Sequence, residues 1–282
     1  MKTSPVERWR KSPWIRRCAL ILAACIILPM IFARLENRMI YFPTRELEGT
    51  PSQVGLEFDD ANIRTADGIS IHGWWVPHDE AKLTVLFFHG NGGNISHRVY
   101  LLELLRDLGV STLIIDYRGY GKSEGRPSEE GLYRDADAAL KHLREARGIP
   151  LDRIVIFGKS LGGAVAIDLA ARVETGGLIV ESSFTSIKDM ARRTVPILPV
   201  HLLVRTRFDS LAKMPSLRQP LLVIHGNRDE VVPFEMGRAL YDAAEGTKDF
   251  LAVPGAGHND LEYVGGEVYR ERLRTFLARL NP

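Results

Sequence analysis

Ile154-Val155-Ile156-Phe157 runs straight into Gly158-Lys159-Ser160-Leu161-Gly162-Gly163, and the apolar stretch AVAIDLAA follows without a break. The first run has the length and content of a short buried strand, and the last that of a helix. A chain passing from strand to helix through G-x-S-x-G must turn so tightly that the residues two before and two after the serine are small. Gly158 and Gly162 stand at those positions. The turn forces the serine into a strained backbone conformation and holds its hydroxyl out above the strand end. Ser160 also opens a helix, where free N–H groups and the helix dipole favour developing negative charge. That makes it a candidate nucleophile.

A serine hydroxyl attacks weakly unless a base takes its proton. The chain has eight histidines, and His258 alone sits late, on a Gly-rich loop (Gly255-Ala256-Gly257-His258) just past an apolar strand. His225 lies inside strand-like sequence, His89 precedes a glycine turn, and His142 lies on a helix. His72 falls in a hairpin, and His78, His97 and His201 have no comparable setting. An acid that orients the base belongs on another strand end. Asp229 fits, on a turn a few residues beyond the strand-like run Leu221–His225. Glu181 also follows a strand, and Glu230 adjoins Asp229, so both remain rivals for the role.

The rest of the chain alternates short apolar runs with longer amphipathic ones. Leu56–Thr65 and Ile69–Val76 flank Ala66-Asp67-Gly68, which predicts a hairpin. Strands are expected at Leu83–Phe88, Val110–Ile115, Arg153–Phe157, Gly177–Val180, Leu221–His225 and Phe250–Val253. Helices are expected at Ser96–Leu108, Ser128–Arg147, Ala164–Val173, Phe234–Ala244 and Arg270–Leu280. A hairpin followed by repeated strand–helix units predicts an α/β fold, with a mostly parallel central sheet and helices on both faces. One domain is expected over 56–282. Its rhythm breaks at 184–214, an apolar, Pro-kinked insertion or small lid containing Ile197, Leu198, Leu202 and Leu203.

Upstream, Cys18–Ala33 carries no charge. As a helix these 16 or so residues span roughly 24 Å, slightly short of a bilayer core. Extended through Trp14 and Ile15, with Arg16 and Arg17 snorkelling, residues 14–35 read as a transmembrane signal-anchor helix after a basic tail over 1–13. The basic flank places the N-terminus in the cytoplasm and the main domain across the membrane, periplasmic or extracytoplasmic. A buried core helix, a cleaved signal peptide and lipidation at Cys25 are competing readings. Residues 36–55 read as a juxtamembrane connector. Both cysteines, Cys18 and Cys25, lie in the apolar segment, so the domain has no disulfide and no cysteine-based metal site. Lys and Arg total 37 against 35 for Asp and Glu, which leaves no basic field for nucleic acid.

The motifs HGNGGN (His89–Asn94), DYRGYGKSEG (Asp116–Gly125), GKSLGG (Gly158–Gly163), HGNRDEVVP (His225–Pro233) and GAGHND (Gly255–Asp260) occur in the order and spacing of the α/β-hydrolase superfamily. From about residue 56 to its end the chain resembles that superfamily. Within it, the resemblance is to a membrane-anchored branch of acyl-protein thioesterase-like and lysophospholipase-like enzymes. The resemblance implies a Ser160–His258–Asp229 triad acting through an acyl-enzyme. It also implies an oxyanion hole built from the backbone N–H groups of Leu161 and Asn91, with Gly92 as the fallback. Asp116 and Arg118 then read as structural. No metal or organic cofactor is implied. The expected partners are membrane lipid at the N-terminal helix and a small-molecule or lipid acyl substrate, the chain being a monomer. A peptidase or aminopeptidase of the same fold is the alternative enzyme. A non-catalytic, membrane-tethered binding protein is the alternative from outside enzymology.

Overall fold

The computed structural model describes residues 13–14, 17–22, 36–194, 201 and 204–280. The tail over 1–12, most of the apolar run and Cys25 lie outside the described residues. So do Ile197, Leu198, Leu202 and Leu203 of the insertion. Among the described residues no helix is long and apolar enough to cross a membrane.

Among the described residues eight strands form the main sheet: β2 (Asp59–Arg64), β3 (Ser70–Val76), β4 (Thr84–Phe88), β6 (Ser111–Ile115), β7 (Ile154–Lys159), β8 (Gly177–Glu181), β9 (Leu221–Gly226) and β10 (Lys248–Val253), in the order β10-β9-β8-β7-β4-β6-β3-β2. β3 runs antiparallel to both its neighbours, and every pairing from β6 through to β10 is parallel. Two further strands, β1 (Phe42–Pro43) and β5 (Gly92–Gly93), pair with each other as a separate parallel ribbon.

The central strands are apolar throughout because both faces of the sheet are covered. In β4, Leu86 and Phe88 face one core while Val85 and Phe87 face the other. The first core is closed by α2 (Glu129–Glu145), α3 (Leu161–Arg172) and α6 (Phe234–Ala243), through residues such as Leu132, Val165 and Leu240. The second is closed by α1 (Val99–Asp107) and α7 (Leu261–Leu280), through Leu102, Leu105, Leu273 and Phe276. Short helices α4 (Ile187–Thr194) and α5 (Ser210–Lys213) stand in the insertion.

Two expectations need revision. The last helix begins at Leu261, not at Arg270, and is kinked at Gly266, whose φ of 49° only glycine adopts without strain. The Gly265-Gly266 pair interrupts the apolar periodicity, which hides the first turns. The connector is also built into the domain. Glu36 and Tyr41 are buried, and residues 36–40 form a helical turn. Thr44 N donates to Gly93 O at 3.1 Å, and Gly121 N donates to Thr44 O at 2.9 Å.

Chain order and sheet order together place the site. β4 and β7 are neighbours, and the chain leaves β4 towards β6 but leaves β7 towards β8, in opposite directions across the sheet. Crevices for ligands form at such a switch point, beyond the carboxyl ends of the strands. The residues after β4, β7, β9 and β10 all emerge there.

Candidate active site

Ser160 is the single residue between β7 and α3, with φ 54° and ψ −117°. A side chain rarely tolerates that conformation, and the surroundings over-determine it. A Cβ on Gly162 would collide with the Phe88 carbonyl, and one on Gly158 would collide with the Gly162 carbonyl. Ser160 N donates to Glu181 O at 2.8 Å, and Ser160 O accepts from Gly163 N and the Ser183 hydroxyl at 2.9 Å each. The backbone of the turn is therefore held on both sides and the hydroxyl is left facing outward.

The structure brings the three expected side chains into one line. Ser160 Oγ lies 3.0 Å from His258 Nε2, and His258 Nδ1 lies 2.8 Å from Asp229 Oδ2. Asp229 Oδ1 accepts from the Val231 and Val232 amides at 2.9 and 2.7 Å. Burial works to raise the Asp229 pKa. Hydrogen bonds from His225 and His258 outweigh it and hold the carboxyl well below the usual carboxylate range. The acid and histidine loops are stitched together by Asn227 N donating to Val253 O (3.2 Å) and Arg228 N donating to Ala256 O (2.9 Å). Gly255 N donates to Asn227 Oδ1 and Gly257 N to Asp260 Oδ1, each at 2.7 Å.

Of the rival acids, Glu181 is committed elsewhere. Its carboxylate meets Lys159 Nζ at 2.9 Å and accepts from the Tyr269 hydroxyl at 2.6 Å. Glu230 is exposed. The Asp116 and Arg118 side chains tie loops, as their reading as structural residues implied. Asp116 Oδ1 accepts from Ile95 N at 3.0 Å, and Arg118 Nε donates to Asp135 Oδ1 at 2.9 Å.

Asn91 and Leu161 line one cavity together with Ser160 and His258. Leu161 is the first residue of α3, so its amide has no acceptor within the helix. The β4 loop passes close to the nucleophile, since a Cβ on Gly90 would stand 3.4 Å from Ser160 Cβ. The Asn91 side chain faces the connector and the Tyr120 loop. Its Oδ1 accepts from the Tyr120 hydroxyl at 2.8 Å and from Phe42 N at 3.2 Å, and its Nδ2 donates to Ile40 O.

The cavity measures about 760 Å³. Beyond the serine its walls are largely apolar, including Ile40, Phe42, Phe184, Ile187 and Met190. Sequence reasoning missed the share taken by residues 36–42. The available signal was the apolar run Met39-Ile40-Tyr41-Phe42 inside a mostly polar connector. Among the described residues no group of three or more His, Cys, Asp or Glu could hold a metal ion.

A family model described as serine aminopeptidase S33 (Hydrolase_4) matches residues 79–208. Protein Rv2307c of Mycobacterium tuberculosis is 37% identical over 275 residues, covering 97% of both chains. The α/β hydrolase domain-containing protein WAV2 of Arabidopsis thaliana is 32% identical over 289 residues, covering 93% of this chain and 92% of its own. Among solved structures, the esterase Pf2001 of Pyrococcus furiosus superposes with a TM-score of 0.72 at 26% identity, over 84% of this chain and 98% of the esterase.

Proposed function

The chain belongs to the α/β-hydrolase superfamily, and from that premise we propose that it is a serine hydrolase cleaving a carboxylic ester or thioester with an apolar acyl group. The observation that carries this reading is the hydrogen-bonded line Ser160–His258–Asp229, with Ser160 and His258 in the wall of a largely apolar cavity. His258 takes the proton as Ser160 Oγ attacks the acyl carbonyl. Asp229 fixes the imidazole tautomer and stabilises the imidazolium. The N–H groups of Leu161 and Asn91 receive the oxyanion, a contribution worth about 3 kcal/mol per donor in comparable sites. His258 then protonates the leaving group, and a water molecule repeats the sequence on the acyl-enzyme.

The esterase likeness and the apolar walls favour an acyl ester over a peptide bond, the bond that the serine aminopeptidase description would imply. The apolar run at 18–33 supports a membrane anchor for the same chain, with a cytoplasmic N-terminus and the domain on the opposite side. That run ends three residues before Glu36, which lines the cavity, so an anchored chain would hold the site close to lipid.

The test is labelling of the purified protein by a fluorophosphonate, with Ser160→Ala beside it, followed by a chain-length series of p-nitrophenyl esters. Labelling lost in the variant and turnover rising with acyl length are expected. A folded wild-type protein that neither labels nor turns over any ester would refute the reading.

A further inference from the structure

Lysine is almost never buried without partners. Yet Lys159, the residue before Ser160, has a side chain only 7% exposed, in the wall of the same cavity. Its ammonium lies 2.9 Å from Glu181 Oε1 and 3.7 Å from Glu262 Oε2. Glu181 is held in turn by the Tyr269 hydroxyl. Burial pulls the lysine pKa down, but Glu181, Tyr100 and Glu262 outweigh it and the pKa is raised. The ammonium therefore stays charged, paired with two carboxylates.

The three ionic groups come from three elements. Lys159 ends β7, and Glu181 ends β8, where its carbonyl accepts from Ser160 N. Glu262 stands in the first turn of α7, four residues beyond His258. A buried ion pair adds little net stability compared with apolar side chains of the same volume, so stability is a weak reason for this cluster. Its position supplies a stronger one. It joins the turn carrying the nucleophile to the segment carrying the base, and their separation sets the 3.0 Å contact between Ser160 Oγ and His258 Nε2. A displacement of about 1 Å in such a contact lowers rates by about 10²-fold.

Building on the serine-hydrolase reading, we propose that Lys159 is a positioning residue. Its ion pairs with Glu181 and Glu262 clamp the His258 loop to the Ser160 turn and fix the distance between base and nucleophile. The lysine takes no part in proton transfer. A guanidinium at the same position can span the same two carboxylates.

The experiment compares kcat, KM and Tm on one p-nitrophenyl ester for wild type, Lys159→Met, Lys159→Arg and Glu262→Gln. Lys159→Met is expected to lower kcat by about 10²-fold with KM within about threefold, the mark of lost geometry without lost binding. Lys159→Arg is expected to recover most of that loss, and Glu262→Gln to lower kcat by about tenfold. A folded Lys159→Met with wild-type kcat overturns the proposal, and so does a kcat loss that Lys159→Arg does not repair. Should Lys159→Met not fold, wild-type kcat in Glu262→Gln overturns it equally. A wild-type protein inactive on every ester removes the hydrolase reading and this one with it. An active wild type with insensitive variants removes this one alone.

Discussion

His225 Nε2 lies 3.3 Å from Asp229 Oδ2, the same oxygen that His258 Nδ1 meets at 2.8 Å. His225 Nε2 also meets Val232 O, at 2.9 Å, so the buried carboxylate faces two imidazoles with His258 the closer, and its other oxygen is fully engaged by the Val231 and Val232 amides. Its pKa, held low against the effect of burial, keeps it ionised wherever a histidine base can work. Asp229→Asn removes the charge while keeping the shape, and it offers an NH₂ where His258 needs an acceptor. We expect kcat to fall by about 10⁴-fold through the wrong tautomer. Steady-state kinetics on a p-nitrophenyl ester would check this, and wild-type turnover would place the acid elsewhere.

Arg118 supports an acid-stability prediction. Its Nη1 and Nη2 meet the two Asp67 oxygens at 2.8 and 3.0 Å, while its Nε and backbone N hold Asp135. The Arg118 hydrogen bonds hold the Asp67 carboxyl far below the usual carboxylate range. A depressed folded pKa gives stability that is present above the unfolded value, about 3.9, and lost as pH falls through the folded one. Arg118→Met returns Asp67 towards its ordinary value and leaves Asp135 buried without its cation. It should therefore move the acid-unfolding midpoint to higher pH and cost about 3–5 kcal/mol at neutrality. Circular dichroism against pH and against urea measures both, and an unmoved acid midpoint would contradict the assignment.

How legible each part was depended on how local its signal is. Ser160, Asp229 and His258 each follow an apolar run within a few residues, with glycines marking the turn, so strand ends and candidate side chains could be read together. Parallel strands then bring those ends to one edge of the sheet. Sequence left Glu181 as a rival to Asp229 because both follow strands. Only geometry separates them, through Lys159 and Tyr269, the latter 88 positions away. Lys159 itself fell at an unconstrained position of the motif, since its partners are remote in sequence. Residues 36–42 lacked any periodicity, and the partner that fixes them, Asn91, lies about 50 residues on.

Gly162 tests the turn itself. It stands in the first turn of α3, where alanine would ordinarily favour the helix by about 1 kcal/mol. Here the added methyl would run into the Phe88 and His89 carbonyls, which are backbone atoms of the neighbouring strand end and cannot rotate away. Gly162→Ala should therefore destabilise by about 1–3 kcal/mol through overpacking and slow phosphonate labelling of Ser160. A variant with a raised Tm and normal labelling would show that β4 and α3 do not approach as closely as described.

The connector can be separated from the anchor by deletion. Tyr41 packs edge-on against Phe208, with ring centroids 6.4 Å apart, and is buried in the same core as α2 and α3. Ile40 and Phe42 hold the Asn91 side chain through their backbone atoms. Removing residues 1–35 leaves all of these contacts, so that protein should fold and turn over esters at the wild-type rate. Tyr41→Ala in the same background loses a buried aromatic ring and should cost about 3–5 kcal/mol. Asn91→Ala keeps the backbone N–H proposed to meet the oxyanion but releases its loop from Ile40, Phe42 and Tyr120. Its kcat should fall by about tenfold with little change in KM, less than the 10²–10³-fold expected from losing an oxyanion donor outright. Full activity in a folded protein lacking residues 1–43 would show that residues 36–43 contribute nothing to the site, and the Asn91 prediction would fall with it.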